Sequence, residues 1–105
     1  MVASATKGII VLENFKLDED EMLVAKKIVD KCADKIGRYV EYEELKLEMK
    51  VRQKERNQHF IIKGRVIHPH GKVVSEQEDT NPFVAINETL TKMLVEIQHS
   101  IGDKK

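Results

Sequence analysis

The sequence is poor in most of the residue types that mark a specialised fold or chemistry. Its one cysteine, Cys32, excludes an intramolecular disulfide and agrees with a reducing compartment. Two prolines and five glycines among 105 residues exclude a collagenous or low-complexity chain. Tryptophan is absent, and the five other aromatics, Phe15, Tyr39, Tyr42, Phe60 and Phe83, offer little for stacking on unpaired bases. Neither sign of charge is in excess, with 18 basic and 18 acidic residues, so bulk charge gives no argument for a polyanionic partner. No apolar run approaches the ~18 residues needed to span a bilayer. The first seven residues also lack the basic and apolar segments of a signal peptide.

What remains is 41% hydrophobic and 34% charged, the balance of a folded soluble domain. The expectation is a single domain over residues 1–105 in the cytoplasm, without a membrane partner and with disordered ends at about 1–6 and 102–105.

Residues 8–12, Gly-Ile-Ile-Val-Leu, form a short β-branched run of the kind buried on both faces, which predicts an interior strand. Asp18 and Glu21 have the spacing of a capping box. Met22, Ala25, Val29, Cys32 and Ile36 then recur at steps of three and four, predicting a helix that Gly37 ends. From Leu45 the period becomes two: Leu47, Met49 and Val51 alternate with Lys46, Glu48, Lys50 and Arg52, as in a strand with one wet face. Residues 54–58 break the pattern, 59–68 resume it, 69–71 make a turn, and 73–78 return as a third strand of an antiparallel meander. Asn81-Pro82 starts a second helix, with Phe83, Ile86, Leu90, Met93 or Leu94, Ile97 and Ile101 on its apolar face.

The order β-α-β-β-β-α predicts an α+β two-layer sandwich, a four-stranded sheet carrying both helices on one face. Its expected core comprises Ile10, Leu12, Met22, Ala25, Val29, Cys32, Ile36, Leu47, Met49, Phe60, Ile62, Val73, Phe83, Ile86, Leu90, Met93, Leu94 and Ile97.

No enzyme signature is present: there is no phosphate-binding Gly-Lys-Ser/Thr loop, Gly-x-Ser-x-Gly, Cys-x-x-Cys or His-Glu-x-x-His. Cys32 lies inside an apolar stripe, which suits a packing thiol better than a nucleophile. His68 and His70 flank Pro69, but a metal site wants a third ligand, and His59, Glu76 and Glu78 are loose options. We therefore expect no catalytic, metal or cofactor residues.

The local distribution of charge is more informative. Residues 18–21 carry four acids, whereas 26–38, 46–56 and 63–72 each sum to +3. On the first helix Lys27, Lys31, Lys35 and Arg38 fall within about 80° of one another, opposite the apolar stripe, and Asp34 dilutes their charge. On the sheet, Lys46, Lys50, Arg52 and Lys54 would lie beside Lys63 and Arg65 if the odd-numbered residues of 60–67 face out; both parities there carry apolar residues, and the choice stays open. Phosphate binding and a solvated, lysine-guarded surface are both consistent with such patches.

The stretch 71–97, GKVVSEQEDTNPFVAINETLTKMLVEI, resembles the ribosome hibernation-promoting and ribosome-associated inhibitor family. Members carry an acidic turn after the last strand, then an aromatic residue, Ala-Ile-Asp/Asn and Lys-Leu. Phe83, Ala85, Ile86, Asn87, Lys92 and Met93 match in place without gaps. The resemblance implies a small cytosolic protein that occupies small-subunit rRNA near the decoding region and silences idle ribosomes, without cofactor or turnover. The chain departs from the pattern at Leu94, Val95 and Glu96, where members are basic, so Lys92 alone transfers by position. The expected RNA-binding set is Lys27, Lys31, Lys35 and Arg38 with Lys92, meeting in a groove between two adjacent helices. The alternative is a protein-interaction or homodimerisation module, motivated by Val24 and Val95 outside the main apolar stripes.

Overall fold

The computed structural model describes residues 8–102; the disordered ends expected at about 1–6 and 102–105 lie outside the described residues except for Gly102, which belongs to the second helix. The elements are β1 (Ile9–Glu13), α1 (Glu19–Gly37), β2 (Glu44–Lys54), β3 (Asn57–His68), β4 (Gly71–Asp79) and α2 (Pro82–Gly102). The strands lie side by side in the order β1-β2-β3-β4, with β1 parallel to β2 and the rest antiparallel. This is the expected α+β sandwich.

Each boundary has a local cause. Asp18 accepts a hydrogen bond from the Glu21 amide at 2.8 Å, and the Glu21 carboxylate accepts from the Asp18 amide at 3.1 Å, which closes the capping box of α1. Asn81 Oδ1 accepts from the Phe83 amide at 2.9 Å and the Val84 amide at 3.3 Å, so the free donors at the start of α2 are met. Residues 55–56 turn the chain from β2 to β3, with Glu55 at φ 53. The polar segment read as a break at 54–58 is therefore a tight hairpin whose strands extend almost to the turn.

The register assigns every strand residue to a face. Leu45, Leu47, Met49 and Val51 of β2 oppose Val66, Gly64, Ile62 and Phe60 of β3, and these turn toward the helices. The core continues through Ala25, Val29, Cys32, Ala33 and Ile36 of α1 and Ala85, Ile86, Leu90, Met93 and Ile97 of α2. Phe60, Phe83, Leu94, Ile10 and Leu12 are partly buried at its margin.

One expectation is corrected: β1 is not an interior strand but an edge strand. Ile9 is 67% exposed, and β1 has a single neighbour, β2. An apolar run of five residues fits an edge equally well when a helix covers one face, and here α1 covers Ile10 and Leu12 while Ile9 is left outside.

Gly64 sets the distance between α2 and the sheet. A Cβ there would stand 2.7 Å from Met93 Cε and from Thr89 Cγ2, and 2.9 Å from Leu47 Cδ2. Thr89, fully buried, donates its hydroxyl proton to the Ala85 carbonyl at 2.8 Å or the Ile62 carbonyl at 3.2 Å, so its polar atom is satisfied where α2 meets β3.

Candidate nucleic-acid interface

The helical layer and the bare sheet surface are the two broad faces of a thin molecule, whose Cα extents are 48 × 29 × 16 Å. Each carries one of the basic sets read from the sequence.

On α1, burying Ala25, Val29, Cys32 and Ile36 forces the opposite side into solvent. Lys27, Lys31, Lys35 and Arg38 are all exposed there. None of them is ion-paired among the described residues, so their charge is available to a partner. Cys32 lies beneath this stripe: burial raises its thiol pKa, while Lys35 and Lys31 pull it down more weakly. A buried thiol held protonated packs rather than reacts.

Lys92 is exposed on α2, where it lines a shallow depression of about 270 Å³ with Gln77, Asn87, Glu88 and Thr91. Near the end of α2 the Gln98 amide donates to the Tyr39 hydroxyl at 3.0 Å, just beyond the end of α1. Glu88 and Glu96, about one turn to either side of Lys92, neutralise that position.

The outer face of the sheet settles the parity left open by the sequence. Lys46 pairs in register with Arg65 and Glu48 with Lys63, so His59, Ile61, Lys63, Arg65 and Ile67 of β3 point away from the helices. Carboxylates are interleaved with the cations. Lys46 reaches Glu13 at 3.2 Å, Arg65 reaches Glu44 at 2.8 Å, and Glu78 receives Lys54 at 3.1 Å and His59 at 2.9 Å. The Lys54 hydrogen bond holds the Glu78 carboxyl below its usual range against the opposing effect of burial, and the nearby Lys54, His59 and Arg52 charges add to the lowering. This face is a charge lattice rather than a uniformly positive surface.

Sequence reasoning weighed His68 only as a metal ligand beside His70 and left it out of the core. The structure buries His68 on the helix side of β3, where its Nδ1 accepts from the His70 amide at 3.2 Å. Burial, and then the neighbouring His70, lower its pKa. The signal was the even parity it shares with Ile62 and Val66. Among the described residues no group of three or more His, Cys, Asp or Glu side chains is placed to hold a metal ion, and no helix is long and apolar enough to cross a membrane.

No family model matches the sequence, and no curated protein matches it. Solved structures do. The N-terminal domain of Protein Y from Thermus thermophilus superposes with a TM-score of 0.64 at 17% identity, over 88% of this chain and 94% of that one. A ribosomal subunit interface protein from Coxiella burnetii superposes with a TM-score of 0.61 at 11% identity, over 93% and 99%. The chain has the fold of these proteins.

Proposed function

We propose that the protein is a ribosome-associated factor that binds small-subunit rRNA and represses translation or promotes ribosome hibernation. The observation that carries this reading is the α1 stripe: Lys27, Lys31, Lys35 and Arg38 stand exposed and without ion pairs on a fold shared with a ribosomal subunit interface protein. Binding of this kind draws its affinity from phosphate neutralisation and counterion release, and requires neither cofactor nor catalytic group. The scarcity of exposed aromatics fits contact with a folded RNA backbone rather than with unstacked bases. Such a protein acts in the cytoplasm. Lys92, exposed on α2 and matched in place to the family pattern, is a further contact of this binding set beyond the four of the stripe.

The test is co-sedimentation with purified small subunits at two salt concentrations. Four phosphate contacts give a slope of log affinity against log salt of about 2.8 to 3.6, hence a loss of roughly 50- to 150-fold between about 50 and about 200 mM salt. An interaction insensitive to salt in that range contradicts the proposal.

A second reading rests on Val24, Val84 and Val95, which are 46%, 38% and 40% exposed on the helical layer. A homodimer through this layer would bury them together with the basic stripe. Sedimentation equilibrium separates the readings, since a dimer at the concentration used for ribosome binding would occlude the stripe.

A further inference from the structure

The sheet surface opposite the helices contains a second cation cluster of a different construction. Lys46, Lys63, Arg65 and Lys72 line one depression of about 340 Å³ on β2, β3 and β4, together with Glu48, Gly64 and Val74. The residues on this depression thus carry four positive charges against one negative. Lys46 and Arg65 are each held by a carboxylate, Glu13 and Glu44 respectively, neither of which lines the depression. These pairs fix the two cations on the sheet without placing their counter-charges inside the hollow. Lys63 and Lys72 form no ion pair among the described residues. The Arg65 guanidinium also keeps its Nε–H buried without an acceptor, a cost that an incoming oxygen anion would relieve through a small rotation of the side chain.

We propose that this depression binds the phosphodiester backbone of RNA, so that the protein is held between two RNA segments, one on α1 and one on the sheet. The proposal rests on the reading of the protein as an RNA-binding factor and adds a second contact to it. Two observations select a backbone as the occupant. Phe60 faces the helices, the outward odd-numbered positions of β3 carry no Phe, Tyr or Trp, and their one ring, His59, is held by Glu78 outside the depression, so the hollow offers no platform for stacking bases. The hollow is shallow and floored by Gly64 and Val74, which suits a chain laid across the strands rather than a small molecule enclosed by them. The 16 Å Cα thickness places the two cation sets on opposite sides of a single layer pair, close enough for one molecule to bridge neighbouring strands of a folded RNA.

The test uses the whole isotope-labelled chain and an octauridylate, followed by NMR amide shifts, with inorganic phosphate as a parallel titrant. The expected result is a set of shifts at Lys46, Lys63, Gly64, Arg65, Lys72 and Val74 in addition to those on α1. Lys63→Ala with Lys72→Ala removes the sheet shifts, leaves the α1 shifts, and lowers the salt slope of the total affinity by about 1.4, two single-strand phosphate contacts. Glu48→Gln, which removes the one negative charge lining the hollow, tightens binding. The proposal is overturned if the shifts are confined to α1, which leaves the broader RNA-binding reading intact. It is also overturned if inorganic phosphate saturates the same amides at lower concentration than the oligonucleotide, or if Glu48→Gln weakens binding, as expected of a protein partner that pairs with this carboxylate. Shifts on the sheet alone also overturn it, because the two-segment arrangement requires α1 as well.

Discussion

Gly64 of β3 lies directly under Met93 of α2, so closely that a single added carbon would come within 2.7 Å of the Met93 methyl. Thr89 and Leu47 bound the same space at 2.7 and 2.9 Å, which leaves no direction for the carbon to move. Gly64→Ala therefore lifts α2 from the sheet. We expect it to destabilise the protein by about 1–3 kcal/mol, the usual cost of overpacking a dense core. Urea unfolding followed by circular dichroism measures this, and an unchanged midpoint contradicts the packing described.

Glu55 stands at φ 53 in the β2–β3 turn, a left-handed conformation that costs a residue with a side chain about 1–2 kcal/mol. Glycine removes that cost but loses about 0.5–1 kcal/mol through added freedom of the unfolded chain. Glu55→Gly should therefore stabilise by up to about 1.5 kcal/mol, visible as a melting temperature several degrees higher.

His68 makes stability depend on pH. Its native pKa lies below the ordinary value of 6.5, so as pH falls the unfolded chain takes up the proton first. The stability contributed by the neutral imidazole is complete above about 6.5 and is lost as pH falls through that value to the lower native one. An NMR titration should show the His68 ring titrating below 6.5. Denaturant midpoints between pH 7 and pH 5.5 should fall more steeply for the native chain than for His68→Gln. A ring titrating above its ordinary value would mean that it is not desolvated as described.

The sequence carried the element order because the local signals were strong and mutually consistent: the Asp18–Glu21 box, the Asn81-Pro82 start, and a period that changes from four to two at Leu45. It failed where the answer depends on neighbours. Residues 9–12 are apolar at every position, and nothing in them says whether one strand or two lie alongside; only the sheet order makes β1 an edge. Ile61 and Ile62 are both buried although they face opposite sides, so the parity of β3 was hidden until its register with β2 was known. The α1 stripe was legible because a helix that buries Ala25, Val29, Cys32 and Ile36 must expose Lys27, Lys31, Lys35 and Arg38.

The central claim is that the unpaired cations of α1 carry ribosome association, and charge reversal tests it most directly. In Lys27→Glu, Lys31→Glu, Lys35→Glu all three changes fall on exposed positions, so the fold should persist and circular dichroism should be unchanged. Co-sedimentation of this variant with small subunits, beside the charge-preserving Lys27→Arg, Lys31→Arg, Lys35→Arg control, is the decisive measurement. Loss of association for the triple variant, with the control retained, is the result the structure predicts. A triple variant that pellets as the native chain does, over the same range of salt, would contradict it.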